Sequence, residues 1–275
     1  MTVETGALQW LKWDTQEGIL YKSPGLVVGG DMRPSSVMSI RRGIGNQASH
    51  FAGAAAFQSS PQIECTADSK ALLEYALRAA GVLSPLKIYG GTVAYDFLQE
   101  NAYINSLRIS GAVDAPLAAT LELISLGETE AATGGAPVDL TSDLYAWQLA
   151  SVVVDGDGAA VQAFDIAISN NLQLYHTLDA KLENTKRLPM GISLGTEEVT
   201  FSVDMLQKMA WDVGEDSPAV TIGAVIGYAI GQDTIELALT GLAHSGDRPM
   251  PFERDNGLVV WRYGFVGLPG SLAIA

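Results

Sequence analysis

Gly191-Ile-Ser193-Leu-Gly195 has the spacing of a nucleophile elbow, the strand-to-helix turn that exposes the catalytic serine of α/β-hydrolases. His244 lies downstream with aspartates between, so chain order permits a Ser-His-Asp triad. The elbow requires a helix directly after the serine, but residues 195–203 alternate like a strand. We therefore interpret the motif as a turn into a strand, and a serine hydrolase using Ser193 remains an alternative.

Other motifs that could do chemistry are weak. Asp155-Gly-Asp157-Gly158 resembles the start of a calcium loop, but the sequence turns apolar at once, which favours a hairpin turn. The histidines His50, His176 and His244 share no metal-ligand spacing, and no P-loop or dinucleotide fingerprint is present. We expect no metal, no cofactor and no enzymatic activity.

Composition predicts a folded acidic protein. Of 275 residues 48% are hydrophobic, the net charge is -15, and the single cysteine excludes an internal disulfide. The first 62 residues carry five basic and four acidic residues, whereas the remainder carries 11 basic and 27 acidic ones. Such a surface repels phosphate, so tight nucleic-acid binding is not expected. We predict neither a signal peptide nor a membrane span.

The order of predicted elements occurs twice along the chain. A strand over 61–68 leads into a helix over 69–80, and a strand over 197–204 leads into a helix over 205–213. Each half then continues with two strands, a polar loop and a strand containing Trp147 or Trp261. Alternation around Asp155-Gly predicts a hairpin over 152–168. The fold class we predict is mainly β, with two tandem β-sandwich units that each contain one short helix.

The predicted boundary between the two units lies within that hairpin. Residues 1–158 would hold an N-terminal arm and the first unit, and residues 159–275 the second, with the hairpin 147–169 straddling the boundary. Residues 43–60 and 170–194 are predicted to be long loops at equivalent places in the two halves. Duplication of this kind halves the number of chains that a symmetric ring needs.

Three stretches resemble the tail tube (major tail) proteins of long-tailed bacteriophages. They are the hairpin from Val152 to Asn171, the run from Leu188 to Asp204, and the strand-then-helix segment from Ile63 to Gly81. The resemblance spans about residues 35–270, and it lies in the pattern of strands, hairpin and loop. It implies a structural virion protein whose inner sheet joins those of its neighbours in one β-barrel. The rings would stack into the tail tube through which DNA is ejected.

The resemblance also implies partners and a location. The chain would assemble with itself, as trimeric pseudo-hexameric or hexameric rings, and with tape measure and tail-end proteins. Double-stranded DNA would pass transiently, and no membrane is involved. The location would be the virion tail, with assembly in the host cytoplasm. Repetition within the chain favours the trimer.

Two groups of residues are candidates for these roles. The first would face the channel, where acidic groups repel DNA, and comprises Glu64, Asp68, Asp165, Glu198 and Asp204. The second would form contacts between rings, and comprises Asn46, His50, Leu172, His176, Lys181, Lys186 and Arg187. A β-sandwich decoration or binding module, monomeric or closed without stacking, is the further alternative.

Overall fold

β-Strands make up most of the described chain. The computed structural model describes residues 10–15, 27–31, 35–36, 39–42, 49–53, 57–58, 62–66, 74–78, 81–91, 96–113, 115, 117–130, 145–154, 157–158, 160–177, 182–183, 186–206, 208, 220–226, 234–245, 251–253 and 259–274. The strands are β1 (Trp10–Thr15), β2 (Val27–Asp31), β3 (Ser35–Ser36), β4 (Ser39–Arg42), β5 (Ser49–Gly53), β6 (Phe57–Gln58), β7 (Gln62–Thr66), β8 (Leu86–Gly91), β9 (Asp96–Ala112), β10 (Ala118–Glu130), β11 (Tyr145–Val154), β12 (Asp157–Gly158), β13 (Val161–Ser169), β14 (Gln173–Tyr175), β15 (Leu182–Glu183), β16 (Lys186–Arg187), β17 (Gly191–Ser193), β18 (Glu198–Met205), β19 (Val220–Ile226), β20 (Thr234–Leu239), β21 (Leu242–His244), β22 (Pro251–Glu253), β23 (Val259–Gly267) and β24 (Leu272–Ile274).

The larger sheet has eleven strands, eight of which form one row in the order β2-β7-β10-β9-β13-β18-β23-β21. Every pair along this row is antiparallel. Three further strands pair at its flanks: β8 with β9, β1 with β8, and β22 with β23. Among the described strands the sheet is open, since β2 and β21 at the ends of the row do not pair with each other.

A five-stranded sheet, in the order β12-β11-β19-β20-β24, forms the second layer. Buried residues of this layer, including Val152, Leu237 and Ile274, belong to one apolar cluster with residues of the larger sheet. The two sheets therefore make a β-sandwich over a shared core. Because strands of both halves occur in both sheets, the core runs continuously across the predicted boundary at 158/159.

Alternation with period two decides which residues enter the core. In β13 the side chains of Phe164, Ile166 and Ile168 are buried, and the residues between them are only half-buried. In β18, Phe201 is buried next to Ile166 and stacks on Phe265 of β23, with 5.8 Å between the ring centroids. Side chains on alternate positions of these neighbouring strands therefore form a continuous apolar layer.

The structure describes residues 74–78 of the helix predicted over 69–80, and a continuous helix is not formed there. Within its described part, 74–78, a single turn is closed by a hydrogen bond from Leu77 N to Glu74 O at 3.0 Å. Ala76 is fully buried and Leu77 packs on the core, as the predicted apolar face requires. The predicted start of the helix over 205–213 is wrong, because Met205 is the last residue of strand β18. Residues 209–213 lie outside the described part of the chain.

The predicted hairpin over 152–168 is half right. A tight turn does follow β11, where Val154 pairs with Asp157 and Val153 with Gly158. β13, however, leaves this sheet and pairs with β9 and β18 of the other sheet. Both strands have an apolar face, and local sequence cannot determine which layer of the sandwich each face covers.

The two predicted long loops contain short strands. In 43–60, β5 pairs with β4 and β6 pairs with β3. In 170–194, β14 pairs with β17, and β15 pairs with β16. These four pairs are separate two-stranded sheets. Among the described residues no helix is long and apolar enough to cross a membrane.

Candidate functional site

The larger sheet presents its second face away from the core, and we call this surface the open face. Its residues alternate with the buried ones along β9, β10, β13, β18 and β23, and most are small or polar. They are Ser106, Arg108, Ser110, Ala112, Ala118, Thr120, Glu122, Ala163, Asp165, Ala167, Ser169, Glu198, Thr200, Ser202, Asp204, Arg262, Gly264 and Val266. Because most of these side chains are small, the surface is smooth, and its hydroxyl groups can hydrogen-bond water.

Two ion pairs cross between strands on the open face. Arg108 of β9 donates from Nε to Asp165 Oδ2 of β13 at 2.6 Å. Arg262 of β23 binds Asp204 of β18 through two bonds, Nε to Oδ1 at 2.7 Å and Nη2 to Oδ2 at 2.9 Å. Hydrogen bonding to Asp204 raises the pKa of Arg262.

The two pairs line one shallow concavity of about 440 Å³. Its floor includes Gly111 and Phe164, and small residues separate the two pairs. In each pair the guanidinium lies nearer to solvent. The side chains of Arg108 and Arg262 are 66% and 61% exposed, whereas those of Asp165 and Asp204 are 25% and 6% exposed.

Three of the predicted channel-facing acids lie on the open face. Asp165 and Asp204 are the ion-paired carboxylates, and Glu198 is exposed at the far end of β18. Glu64 occupies the register position opposite Thr120, an exposed open-face residue of β10. Asp68 lies outside the described residues. Sequence reasoning did not identify the arginine partners, because their distance from the acids along the chain hides the pairing.

The open face carries a small net negative charge over its named residues. Its named residues include two arginines against four carboxylates, and two of those carboxylates are paired. Glu122 accepts a hydrogen bond from Ser106 Oγ at 3.3 Å, and Glu198 is exposed. The surface keeps a modest negative charge without a dense row of bare acids.

The predicted ring-contact residues lie in several different parts of the structure. Leu172 is buried in a small cluster with Leu83 and Ile124, so its side chain is not available to a partner. His176 is half-buried. Of the remaining candidates, His50 lies in β5, Lys186 and Arg187 lie in β16, and Asn46 and Lys181 lie outside the described residues.

A buried polar cluster joins the turn at 74–78 to Asn170 and Gly195, which lie on either side of the β14/β17 pair. Arg78 donates to Asn170 Oδ1 at 3.0 Å, Asn170 O at 2.7 Å and Gly195 O at 2.8 Å. Asn170 in turn donates from Nδ2 to Ala76 O at 2.9 Å and Ile104 O at 3.0 Å. Glu74 lies four residues before Arg78, the spacing of a surface ion pair on a helix, but Arg78 instead turns inward.

The geometry around Ser193 differs from a nucleophile elbow. Ser193 is an exposed residue at the end of β17, and residues 194–197 lead into strand β18 and not into a helix. His244 is buried in β21 beside the rings of Tyr263 and Phe265, at centroid distances of 6.2 and 5.3 Å. Within the described part of the chain, no cluster of three potential metal-binding side chains occurs.

The architecture defines a β-sandwich protein with one open, polar sheet face. The family model described as phage tail tube protein matches residues 4–256. Because this match covers most of the 275 residues, the chain belongs to the phage tail tube protein family, a family of structural, non-enzymatic proteins of the virion tail. The resemblance drawn from the sequence is thereby confirmed. A search of curated proteins found no match.

Proposed function

We propose that the chain forms rings in which the larger sheet of each copy continues into that of its neighbour, and that the rings stack into the tail tube. The observation that carries this proposal is the eight-strand antiparallel row with two open ends. Unpaired strand edges attract other strands, and closure into a ring removes them.

The direction of the strands favours such closure. Because all seven pairs in this row of eight strands are antiparallel, the end strands β2 and β21 run in opposite directions. A second copy can therefore place its β2 beside β21 of the first and continue the antiparallel pattern. Contacts of this head-to-tail kind generate a closed ring when the rotation between copies completes a circle.

The width of the channel favours three copies. Three rows of eight strands contain 24 strands. Strands about 4.8 Å apart and tilted by about 40° would then form a barrel about 48 Å across, or about 38 Å between side chains. A DNA duplex about 20 Å wide passes with room for water. A hexamer built from whole rows would be about twice as wide, so it would need fewer strands of each copy in its wall.

The open face is the surface we assign to the channel. The five-stranded sheet covers the other face, and small polar residues suit a wall past which DNA slides. The predicted acids Asp165, Glu198 and Asp204 would belong to this wall, with Glu64 in register beside them. The modest negative charge would repel the DNA backbone without holding it.

Stacking would use the two sides of the ring at which the strands begin and end, and not the edge strands β2 and β21. At the end where residues 170–197 connect β13 to β18, exposed apolar side chains include Val82, Tyr175, Met190, Leu194 and Leu268. At the opposite end, where β9 and β18 finish and β23 begins, they include Val113, Leu206 and Val259. Unlike ends that meet head to tail build an open filament. Tape measure and tail-end proteins would contact the ends of that filament, and assembly would take place in the host cytoplasm.

Negative-stain electron microscopy of the concentrated protein tests this proposal. We expect hollow tubes or stacked rings, and native mass spectrometry of single rings should give three chains. Six chains per ring would refute the trimer and leave the tube. Monomers or one closed oligomer at every concentration, even with tail-tip extract as initiator, would instead favour a decoration module.

A further inference from the structure

We propose that Asp165 and Asp204 cancel the charge of Arg108 and Arg262, so that passing duplex DNA meets no uncompensated cation on the open face. This inference rests on the proposed function, since it assumes that the open face lines the channel. The four residues would then control the attraction between the channel wall and DNA, in addition to linking neighbouring strands.

The arrangement of each pair makes masking necessary. Arg108 and Arg262 are both more than half exposed, and each lies above a more buried carboxylate. A phosphate that approaches the open face therefore reaches a guanidinium first. Arginine binds phosphate through two parallel hydrogen bonds, so two unpaired arginines in one concavity would form a phosphate site.

The carboxylates block this site by geometry as well as by charge. Asp204 occupies both Nε and Nη2 of Arg262, the edge with which arginine grips an oxyanion. Asp165 occupies Nε of Arg108. In each arginine, the donor that is best placed to bind a phosphate is therefore already hydrogen-bonded to a carboxylate of the protein.

Repetition makes the masking important. A contact that neutralises one phosphate changes the dependence of binding on salt by about one power of the salt concentration. Every ring of a tube repeats the site in each copy, so weak contacts add along the length of the DNA. A wall that lets DNA slide must hold the attraction of each copy close to zero.

The test compares D165N/D204N with E74Q/E236Q in the full-length protein. Both double variants change the net charge equally, but Glu74 and Glu236 are exposed outside the open face, on the turn at 74–78 and on the five-stranded sheet. Binding of a short fluorescent DNA duplex to soluble protein is measured by anisotropy at several salt concentrations. We expect D165N/D204N to bind, with affinity rising about tenfold as salt falls from about 200 to 50 mM. The wild type and E74Q/E236Q should not bind measurably.

Further variants separate the possible outcomes. Replacing all four residues in R108Q/D165N/D204N/R262Q should abolish binding again, because the exposed cations are gone. If the buried Asp204 does not tolerate replacement, D165N alone should bind with about half the salt dependence. Equal binding by D165N/D204N and E74Q/E236Q, or binding by neither, would overturn the inference. Microscopy of the same preparations tests tube formation separately, so failure of the proposed function would be seen as missing tubes in the wild type.

Discussion

Arg78 and Glu197 form a buried ion pair, with 3.6 Å between Nε and Oε2 and side-chain exposures of 13% and 4%. The pair joins the turn at 74–78 to the residues that begin β18. Glu197 also accepts a hydrogen bond from Gly270 N at 3.1 Å, which ties in the connection between β23 and β24. One charged contact therefore links parts of the chain that are far apart in sequence.

Replacing Arg78 with methionine should destabilise the fold strongly. The change leaves Glu197 charged and buried, and removes donors from Asn170 and Gly195. Breaking a buried pair from one side costs about 3–5 kcal/mol. Urea unfolding would measure the loss, and R108M, at an exposed pair, should lose no more than about 1 kcal/mol. Similar losses in the two variants would contradict the special role of the buried pair.

Asn170 should be nearly as sensitive as Arg78. It is fully buried, and N170A would leave the carbonyls of Ala76 and Ile104 without their donor. We expect a loss of about 2–4 kcal/mol of unfolding free energy. The matched control is N171G at the exposed neighbour, whose φ of 49° suits glycine, with an expected change within about 1 kcal/mol. Thermal unfolding would measure the stability of both variants. An N170A variant as stable as the wild type would contradict the role of Asn170 in the buried polar cluster.

Gly111 should not accept a side chain. A Cβ there would lie 2.5 Å from Cε1 of Phe164 and 2.9 Å from Cδ2 of Leu117. G111A should therefore lose about 1–3 kcal/mol through overpacking. G127A is the control, since a Cβ at that position of β10 meets nothing within 4 Å, and it should stay within about 0.5 kcal/mol. Chemical denaturation would compare them, and equal midpoints would contradict the packing.

His244 should be replaceable by phenylalanine. Neither ring nitrogen has a hydrogen-bond partner in the described structure, and the ring lies beside Tyr263 and Phe265. H244F keeps the aromatic contact and removes two unsatisfied polar atoms, so stability should be unchanged or higher by about 1 kcal/mol. H244A should lose about 2–4 kcal/mol by creating a cavity. A large loss in H244F, measured by differential scanning calorimetry, would reveal a polar role for the imidazole.

Exposed apolar residues at the end where residues 170–197 connect β13 to β18 should matter for assembly and not for folding. Met190 and Leu268 are 63% and 73% exposed, so M190S/L268S should change monomer stability by no more than about 0.5 kcal/mol. If these residues contact the next ring, tubes should no longer form while single rings persist. Electron microscopy and light scattering would report this. Normal tube length in the variant would exclude these two side chains from stacking.

Strand content could be predicted from the sequence because its signal is local. Alternation along Val161–Ser169 and Glu198–Met205 appears directly in the residue order, and it correctly predicted strands in both places. Which side of each strand faces the core, and which acidic residues share the open face, did not follow from alternation alone, because faces are assigned only once the register is known. The assignment of Asp165, Glu198 and Asp204 to a channel wall stays a prediction. The family resemblance depended on the same strand order.

Strand partners and polar partners were decided by the tertiary structure. The Asp-Gly turn after β11 indicates a hairpin, yet β13 enters the other sheet because β9 and β18 cover its edges there. Arg78 has an acceptable local partner in Glu74, but burial forces it towards Asn170 and Glu197, which follow far along the chain. Residue order determined which faces are apolar and how acidic the chain is. Only the pairing of strands within the larger sheet, and the contact of the turn at 74–78 with the residues before β18, determined which charges meet, because those contacts join residues that no local pattern relates.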